Sequence, residues 1–132
     1  MAFDPQAIFA NLAEKEKIKG HHSAEGRTIR TLSRALHGWS RKTLSPGDVL
    51  ALSGQAMEDW LKARLRLSTW SARTLPKLLA PAVEKDLLTR LDAVRLQRIH
   101  NLRARTRDDE DLSAREVNDA LEFCIQLVER HW

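Results

Sequence analysis

Apolar side chains recur at helical spacing along most of this chain, and helix-starting sequences stand between one apolar stripe and the next. Two stripes are clear on inspection: Ile29, Leu32, Leu36 and Trp39, and then Val117, Leu121, Cys124 and Leu127 or Val128. Ser45 and Ser113 are each followed three residues later by an acid, the pattern of a helix N-terminus. Strand signals are lacking, because the chain has no tyrosine and no Asn-Gly or Asp-Gly pair. The sequence therefore predicts an all-α protein.

The first three predicted helices run from the N-terminus to about Leu67. Asp4 and Pro5 begin a short N-terminal helix, and a second helix extends from Ser23 or Gly26 to Lys42. The third helix starts at Pro46 and is rich in large apolar residues over much of its circumference. We expect this third helix to lie at the centre of the fold.

The second half of the chain is predicted to hold a broken segment and two further helices. Residues 68–81 contain Pro76 and Pro81 and are expected to form only one or two helical turns. A long helix then starts near Pro81, and Ser113 opens the last helix. The core-facing stripe expected for the long helix is Val83, Leu87, Leu91, Val94, Ile99 and Leu102. Together these segments predict a single domain over residues 1–132, an up-down bundle of roughly four to five helices.

Composition limits the function classes. A chain of 132 residues, 42% hydrophobic and 30% charged, is large and apolar enough for one packed domain rather than a disordered chain. Cys124 is the single cysteine, which excludes an intramolecular disulfide and favours a reducing compartment. No signal peptide and no apolar run of about 20 residues is present, so we expect a cytoplasmic protein without membrane spans.

Catalytic and metal motifs are not evident. Cys124 lies in an apolar stripe and is expected to be an inert core residue. His21 and His22 have no partners at ligand spacing, so no metal and no cofactor is predicted. Tryptophans 39, 60 and 70 are interpreted as core or interface anchors, whereas Trp132 stays ambiguous.

Arginine is concentrated in two places. Residues 90–107 contain one acid, Asp92, and no lysine. The same segment contains six arginines: Arg90, Arg95, Arg98, Arg103, Arg105 and Arg107. Guanidinium groups bind phosphate in a bidentate way and stay charged, which favours an RNA or phosphate surface here. The alternative is that these arginines pair with the acids of residues 108–111 and of neighbouring helices. On the second helix, Arg27, Arg30, Arg34, His37 and Arg41 share one side, as either a solvated face or a phosphate-tracking face.

The segment Ile99-His100-Asn101-Leu102-Arg103-Ala104-Arg105, a polar loop, and then Leu112-Ser113-x-x-Glu116-Val117 resembles the prokaryotic HEPN domains. The resemblance covers about residues 44–129 and leaves residues 1–43 as additional N-terminal helices. It implies a helical bundle, usually a homodimer. Many members are metal-independent endoribonucleases of toxin–antitoxin, CRISPR or phage-defence systems, whereas others serve as binding modules.

The family's shared motif is an Arg, a polar residue and, a few positions on, a His that assists proton transfer at the RNA 2′-hydroxyl. Here His100 and Asn101 stand where the family has Arg and Asn, and Arg105 stands where it has His. Arg95 and His100 give a second alignment with the family's spacing. The resemblance thus implies His100, Arg105, Arg95 and Asn101 as catalytic candidates.

Three functions remain open. The first is a HEPN-like protein that binds RNA or a protein partner, such as an antitoxin, through its arginine-rich face without cutting. The second is an active metal-independent endoribonuclease that uses His100 with Arg95, Arg103 or Arg105, which share a pocket across a two-fold axis. The third is a nucleic-acid-binding subunit of a larger complex, unrelated to HEPN domains, in which the basic helix from Arg27 to Arg41 follows a nucleic-acid backbone. We expect the first, with nucleic-acid contacts from Arg98, Arg103, Arg107, Arg27, Arg30 and Arg34.

Overall fold

Six α-helices make up a computed structural model of the protein that describes residues 5–19, 24–68, 73–107 and 113–130. The helices are α1 (Pro5–Lys19), α2 (Ala24–Ser40), α3 (Pro46–Arg64), α4 (Leu75–Glu84), α5 (Arg90–Arg107) and α6 (Ala114–Arg130). No strand occurs in these ranges, which confirms the all-α prediction. Within the same ranges no helix is both long and apolar enough to cross a membrane. His21, His22, Trp70 and Trp132 lie outside the described residues.

Helix α3 lies at the centre of the bundle, as its sequence predicts. It packs against α2, α4, α5 and α6, while α1 packs on α2, α2 also touches α6, and α4 packs on α5. Leu50, Met57, Trp60 and Leu61 of α3 are fully or almost fully buried. Helices α5 and α6 share α3 as a support but do not pack closely on each other. That separation leaves room for a cleft between them.

The predicted stripes of α2 and α6 face the core. Ile29, Leu32 and Leu36 of α2 are completely buried, and the stripe residues of α6 up to Val128 are completely or almost completely buried. Trp39 is half-buried, and its indole Nε1–H donates a hydrogen bond to Asn118 Oδ1 of α6. Trp39 is therefore an anchor between two helices, as expected.

Two predicted helix starts are confirmed by their hydrogen bonds. Asp48 N–H donates to Ser45 Oγ over 3.2 Å, and Ser45 N–H donates back to Asp48 Oδ2 over 3.4 Å, so α3 begins with a complete capping box. At the start of α6, Glu116 N–H donates to Ser113 Oγ over 3.1 Å. Each serine thus satisfies a backbone donor that the helix itself cannot.

The prediction of one long helix from Pro81 is wrong. Pro81 lies inside α4, which extends over ten residues and ends at Glu84. Asp86 then adopts a left-handed backbone conformation with φ 58°, and the Leu87 and Leu88 amides donate to the Ala82 carbonyl and close the helix. A new helix, α5, begins after Thr89. The sixth helix in the structure results from this break.

The break also shifts the buried side of α5, so part of its predicted stripe is wrong. Leu91 and Val94 are exposed by 59% and 64%, whereas Leu96, Ile99 and Leu102 are buried. Two helices separated by a turn do not share one helical phase, so a stripe extrapolated from α4 misplaces the first turns of α5.

Candidate functional site: the cleft between α5 and α6

Helices α5 and α6 run in opposite directions across α3 and enclose an open cleft of about 390 Å³. The start of α5 faces the end of α6, since Arg130 Nη2 donates to Asp92 Oδ1 over 2.9 Å. Nearby, the Arg95 guanidinium carbon lies 5.3 Å from the centroid of the Phe123 ring, a cation–π contact. These two interactions hold one end of the cleft together.

Asp92 is the buried acid at this end. Its carboxylate also accepts the Thr89 backbone N–H over 3.1 Å, while Asp92 N–H donates to Thr89 Oγ1 over 3.0 Å. Burial by itself raises the pKa of Asp92, but the hydrogen bonds from Arg130 and Thr89 and the guanidinium charge together bring that pKa below its ordinary value. Asp92 is therefore a structural carboxylate that starts α5 and holds α6.

The two walls of the cleft carry opposite charge. Arg95 and Arg98 form the α5 wall, and three acids form the α6 wall: Glu116, Asp119 and Glu122. The floor between the walls is apolar and consists of Ile99, Leu102, Ala120 and Phe123. Arg98 and Asp119 are exposed, and neither side chain makes a hydrogen bond or ion pair with another residue in the described part of the chain. We call this feature the charged cleft.

The catalytic candidates Arg95 and His100 lie on different sides of α5. On an α-helix, two side chains that are five residues apart point in directions about 140° apart. Arg95 faces α6 through Phe123, whereas His100 is half-buried, and its Nδ1 is buried without a hydrogen-bond partner among the described residues. Asn101 is exposed and accepts a hydrogen bond from Gln97 Nε2 over 3.1 Å. Within one chain these three side chains do not form a common site.

Arg103, a nucleic-acid-binding candidate, is directed inward. Its Nη1 lies 3.7 Å from Glu58 Oε1 of α3, and the same carboxylate oxygen accepts the Leu75 N–H that starts α4, over 3.2 Å. The Arg103 side chain crosses Gly54 so closely that a Cβ at position 54 would lie 2.7 Å from Nη1. Arg103 and Glu58 therefore join α3, α4 and α5.

The remaining candidates fall into two groups. Arg105 and Arg107 belong to α5, but their side chains lie outside the described residues, as do the acids of residues 108–111 that are their alternative partners. Arg27, Arg30 and Arg34 are exposed on α2, and none of them lines the cleft between α5 and α6. The arginines of α2 and the charged cleft are therefore separate surfaces.

Neither a metal centre nor an activated thiol occurs in the part of the chain that the structure describes. No group of three or more His, Cys, Asp or Glu side chains there is placed to hold a metal ion. Cys124 is completely buried, and burial raises the pKa of its thiol to about 12, which confirms the expected inert core residue.

The sequence analysis did not predict the acidic wall. Its alternative, that arginines of this segment pair with acids of neighbouring helices, holds for Arg103 and Glu58, although Glu58 was not named as the partner. Glu116, Asp119 and Glu122 recur at intervals of three residues, which places them along one side of α6 next to its buried stripe. That spacing is visible in the sequence, whereas the contact of Glu58 with α4 and α5 depends on tertiary packing. Comparison with protein-family models, with curated proteins and with solved structures gave no match.

Proposed function

We propose that this chain is a HEPN-like binding protein that does not cut RNA, and that its charged cleft pairs with a second copy of the chain. The observation that carries this proposal is the opposite charge of the two walls of one cleft. A homodimer is also what the HEPN resemblance implies. A cytoplasmic role in a defence or toxin–antitoxin system, with an antitoxin as a further protein partner, follows from that resemblance.

Two walls of opposite charge in one cleft favour self-association for a geometric reason. In a two-fold interface the same patch is used by both copies, so away from the axis a residue of one copy meets a different residue of the other, and each such contact occurs twice. A cleft of a single charge would repel its own copy. Arg95 and Arg98 line one wall of each cleft, and Glu116, Asp119 and Glu122 line the other. We propose that a two-fold arrangement brings the basic wall of each copy against the acidic wall of the other. Two equivalent sets of attractive contacts result.

Exposed apolar surface next to the basic wall supports the same pairing. Leu91 and Val94 are the large hydrophobic residues that stand out as exposed in the described part of the chain, and both lie on α5 near Arg95 and Arg98. On a helix, positions 91, 94 and 98 are neighbours on one face. An apolar patch bordered by charges is typical of a protein–protein interface. Burying it against a second copy removes the cost of leaving it in water.

The geometry favours binding over cleavage. General acid–base catalysis on RNA needs the proton-transferring His and the phosphate-holding Arg in one pocket. Arg95 is engaged with Phe123, Arg103 lies against Glu58, and His100 has its Nδ1 buried. Because these three groups point to different neighbours, we favour a protein that binds without cutting.

A charge-exchange experiment tests the pairing. In the proposed dimer, position 98 of each copy faces position 119 of the other. Arg98→Glu therefore places two carboxylates opposite each other at both of these contacts, and Asp119→Arg places two guanidinium groups there. We expect the wild-type chain to be dimeric and each variant alone to be monomeric, with masses measured by light scattering after size-exclusion chromatography. An equimolar mixture of the two variants should form a heterodimer, because the new carboxylate at position 98 of one chain then faces the new guanidinium at position 119 of the other.

The matched control is Arg66→Glu, which makes the same charge change at an exposed position outside both α5 and α6. This variant should remain dimeric. Circular dichroism of every variant checks that the helices are intact. A monomeric wild-type chain at roughly 100 µM, where interfaces of ordinary affinity are saturated, contradicts the proposal. So does a mixture of the two variants that stays monomeric.

A further inference from the structure

The outer side of α2 carries an uninterrupted row of basic side chains. Arg27, Arg30, Arg34, His37 and Arg41 are all exposed, and we call this row the arginine face. Arg41 N–H still donates to the His37 carbonyl over 3.1 Å, so the helical course continues past Ser40. At 1.5 Å per residue the row is about 20 Å long, and its members fall within about a quarter-turn.

The arginine face belongs to a firmly held helix. On the opposite side of α2, Ile29, Leu32 and Leu36 are completely buried and Trp39 is half-buried, and the helix packs against α1, α3 and α6. Gly38 lies so close to Leu44 that a Cβ there would clash with the Leu44 side chain. The backbone that carries the row is thus fixed by packing, and a ligand need not order it on binding.

Acidic residues do not interrupt this region. Between Gly26 and Gly47 the chain has no Asp or Glu, whereas it has four arginines and one lysine. Among the described side chains of the neighbouring helix α1, the charged ones are Glu14 and Lys17, which are exposed and of opposite sign. Asp48, at the start of α3, is engaged in the capping box with Ser45. The local charge is therefore strongly positive, although the whole chain carries only +4.

We propose that the arginine face binds the phosphate backbone of a nucleic acid without reading its bases. A protein partner is less favoured, because protein interfaces have apolar or aromatic anchors at their centre, and this row consists of polar and charged side chains. Backbone binding needs no such anchor, since neutralised phosphates release counterions. The indole of Trp39 is tied to Asn118 and offers no platform on which a base stacks.

Fluorescence anisotropy with labelled duplexes tests this surface. The probes are two 20-base-pair RNA duplexes of unrelated sequence and one DNA duplex of the same length, titrated at several salt concentrations. With roughly four phosphates neutralised, affinity should fall about 150-fold between 50 and 200 mM salt. The two RNA duplexes should bind equally, and the DNA arm shows whether the 2′-hydroxyl contributes.

The decisive variant is the double substitution Arg34→Gln/Arg41→Gln. Both side chains are exposed and make no hydrogen bond or ion pair with another described residue, so their loss should leave the fold intact. The slope of log affinity against log salt should fall by roughly two, because two phosphate contacts are lost. Affinity at 50 mM salt should fall roughly tenfold or more.

Arg66→Gln/Arg90→Gln is the matched control, since it removes the same charge from exposed positions outside the arginine face. It should change the slope by less than about 0.5. The proposal is overturned if both double variants lose the same affinity for the duplexes, or if the wild-type chain does not bind them at 50 mM salt. The test is independent of self-association, because the monomeric Arg98→Glu variant should bind a duplex of this length as the wild-type chain does.

Discussion

Replacing Asp92 by Asn probes the contact that closes one end of the charged cleft. Asp92 is 5% exposed and uses both carboxylate oxygens, one for the Thr89 N–H and one for Arg130 Nη2. An asparagine has one acceptor oxygen, so only one of these bonds can survive. If the oxygen stays with Thr89, the amide NH₂ faces the guanidinium, and two donors then oppose each other.

The size of the effect follows from what is lost. A hydrogen bond to a charged group contributes about 1.5 to 3 kcal/mol to stability. Arg130 is half-exposed, with 53% of its side chain in contact with solvent, so water replaces part of its interaction and the lower half of that range applies. We therefore expect Asp92→Asn to lower the free energy of unfolding by about 2 kcal/mol, which is roughly 6 to 8 °C in Tm for a chain of this size.

Urea unfolding followed by circular dichroism measures this loss. The matched control is Asp86→Asn, the same substitution at an exposed turn residue whose left-handed backbone asparagine tolerates well. The free energy of unfolding of the control should lie within about 0.5 kcal/mol of that of the wild-type chain. If Asp92→Asn costs no more than Asp86→Asn, the carboxylate does not hold α5 and α6 together, and our interpretation of this end of the cleft is wrong.

The same carboxylate gives a pH dependence of defined sign. The pKa of Asp92 is lowered in the folded chain from its ordinary value of 3.8, so the folded state holds the charged form more firmly than the unfolded state does. Its stabilising contribution is therefore complete above the unfolded pKa and is lost as pH falls through the folded pKa. The stability difference between the wild-type chain and Asp92→Asn should stay constant from pH 7 to about pH 5. It should shrink below about pH 4.

Two further predictions concern buried contacts. Gly54→Ala should change the free energy of unfolding little, because the gain in helix propensity of about 1 kcal/mol is offset by the displacement of Arg103 from Glu58. When Arg103 is replaced by Ala as well, urea unfolding should show the full gain from Gly54→Ala. Cys124 should react with a thiol reagent at pH 8 at least about 100-fold more slowly in the folded chain than in urea, since its thiol is buried with a pKa of about 12. Rapid labelling of the folded chain would show that α6 opens readily.

Local signals in the sequence are sufficient to predict most of the fold. Ser45 with Asp48 and Ser113 with Glu116 mark helix starts because the bonds that define them lie within one turn. Thr89 with Asp92 is the same signal, and the sequence interpretation missed it. Recognising it predicts the start of α5 and separates its helical phase from that of α4. The exposure of Leu91 and Val94 depends on tertiary packing, which the sequence does not give.

The candidate site is less accessible to sequence reasoning, because charge alone does not say where a side chain ends. Arg95, Arg98 and Arg103 occur within nine residues of one helix and look equivalent in the sequence. In the structure Arg95 lies over Phe123, Arg98 borders the cleft and Arg103 reaches Glu58 of α3. Their environments differ because the helix turns by about 100° per residue and each direction meets a different neighbour.

This difference between neighbouring arginines separates the two proposed surfaces on physical grounds. On α5, arginines are drawn into contacts with an aromatic ring and a carboxylate, and the opposite wall of the cleft is acidic, so a polyphosphate there would meet repulsion from Asp119 and Glu122. On α2, the row from Arg27 to Arg41 is exposed over a stretch of sequence without acids. Electrostatics therefore directs a nucleic acid to α2 and leaves the cleft to a partner that brings both signs of charge. Because the arginine face lies on the side of α2 away from its contacts with α3 and α6, a dimer formed through the cleft keeps both arginine faces open.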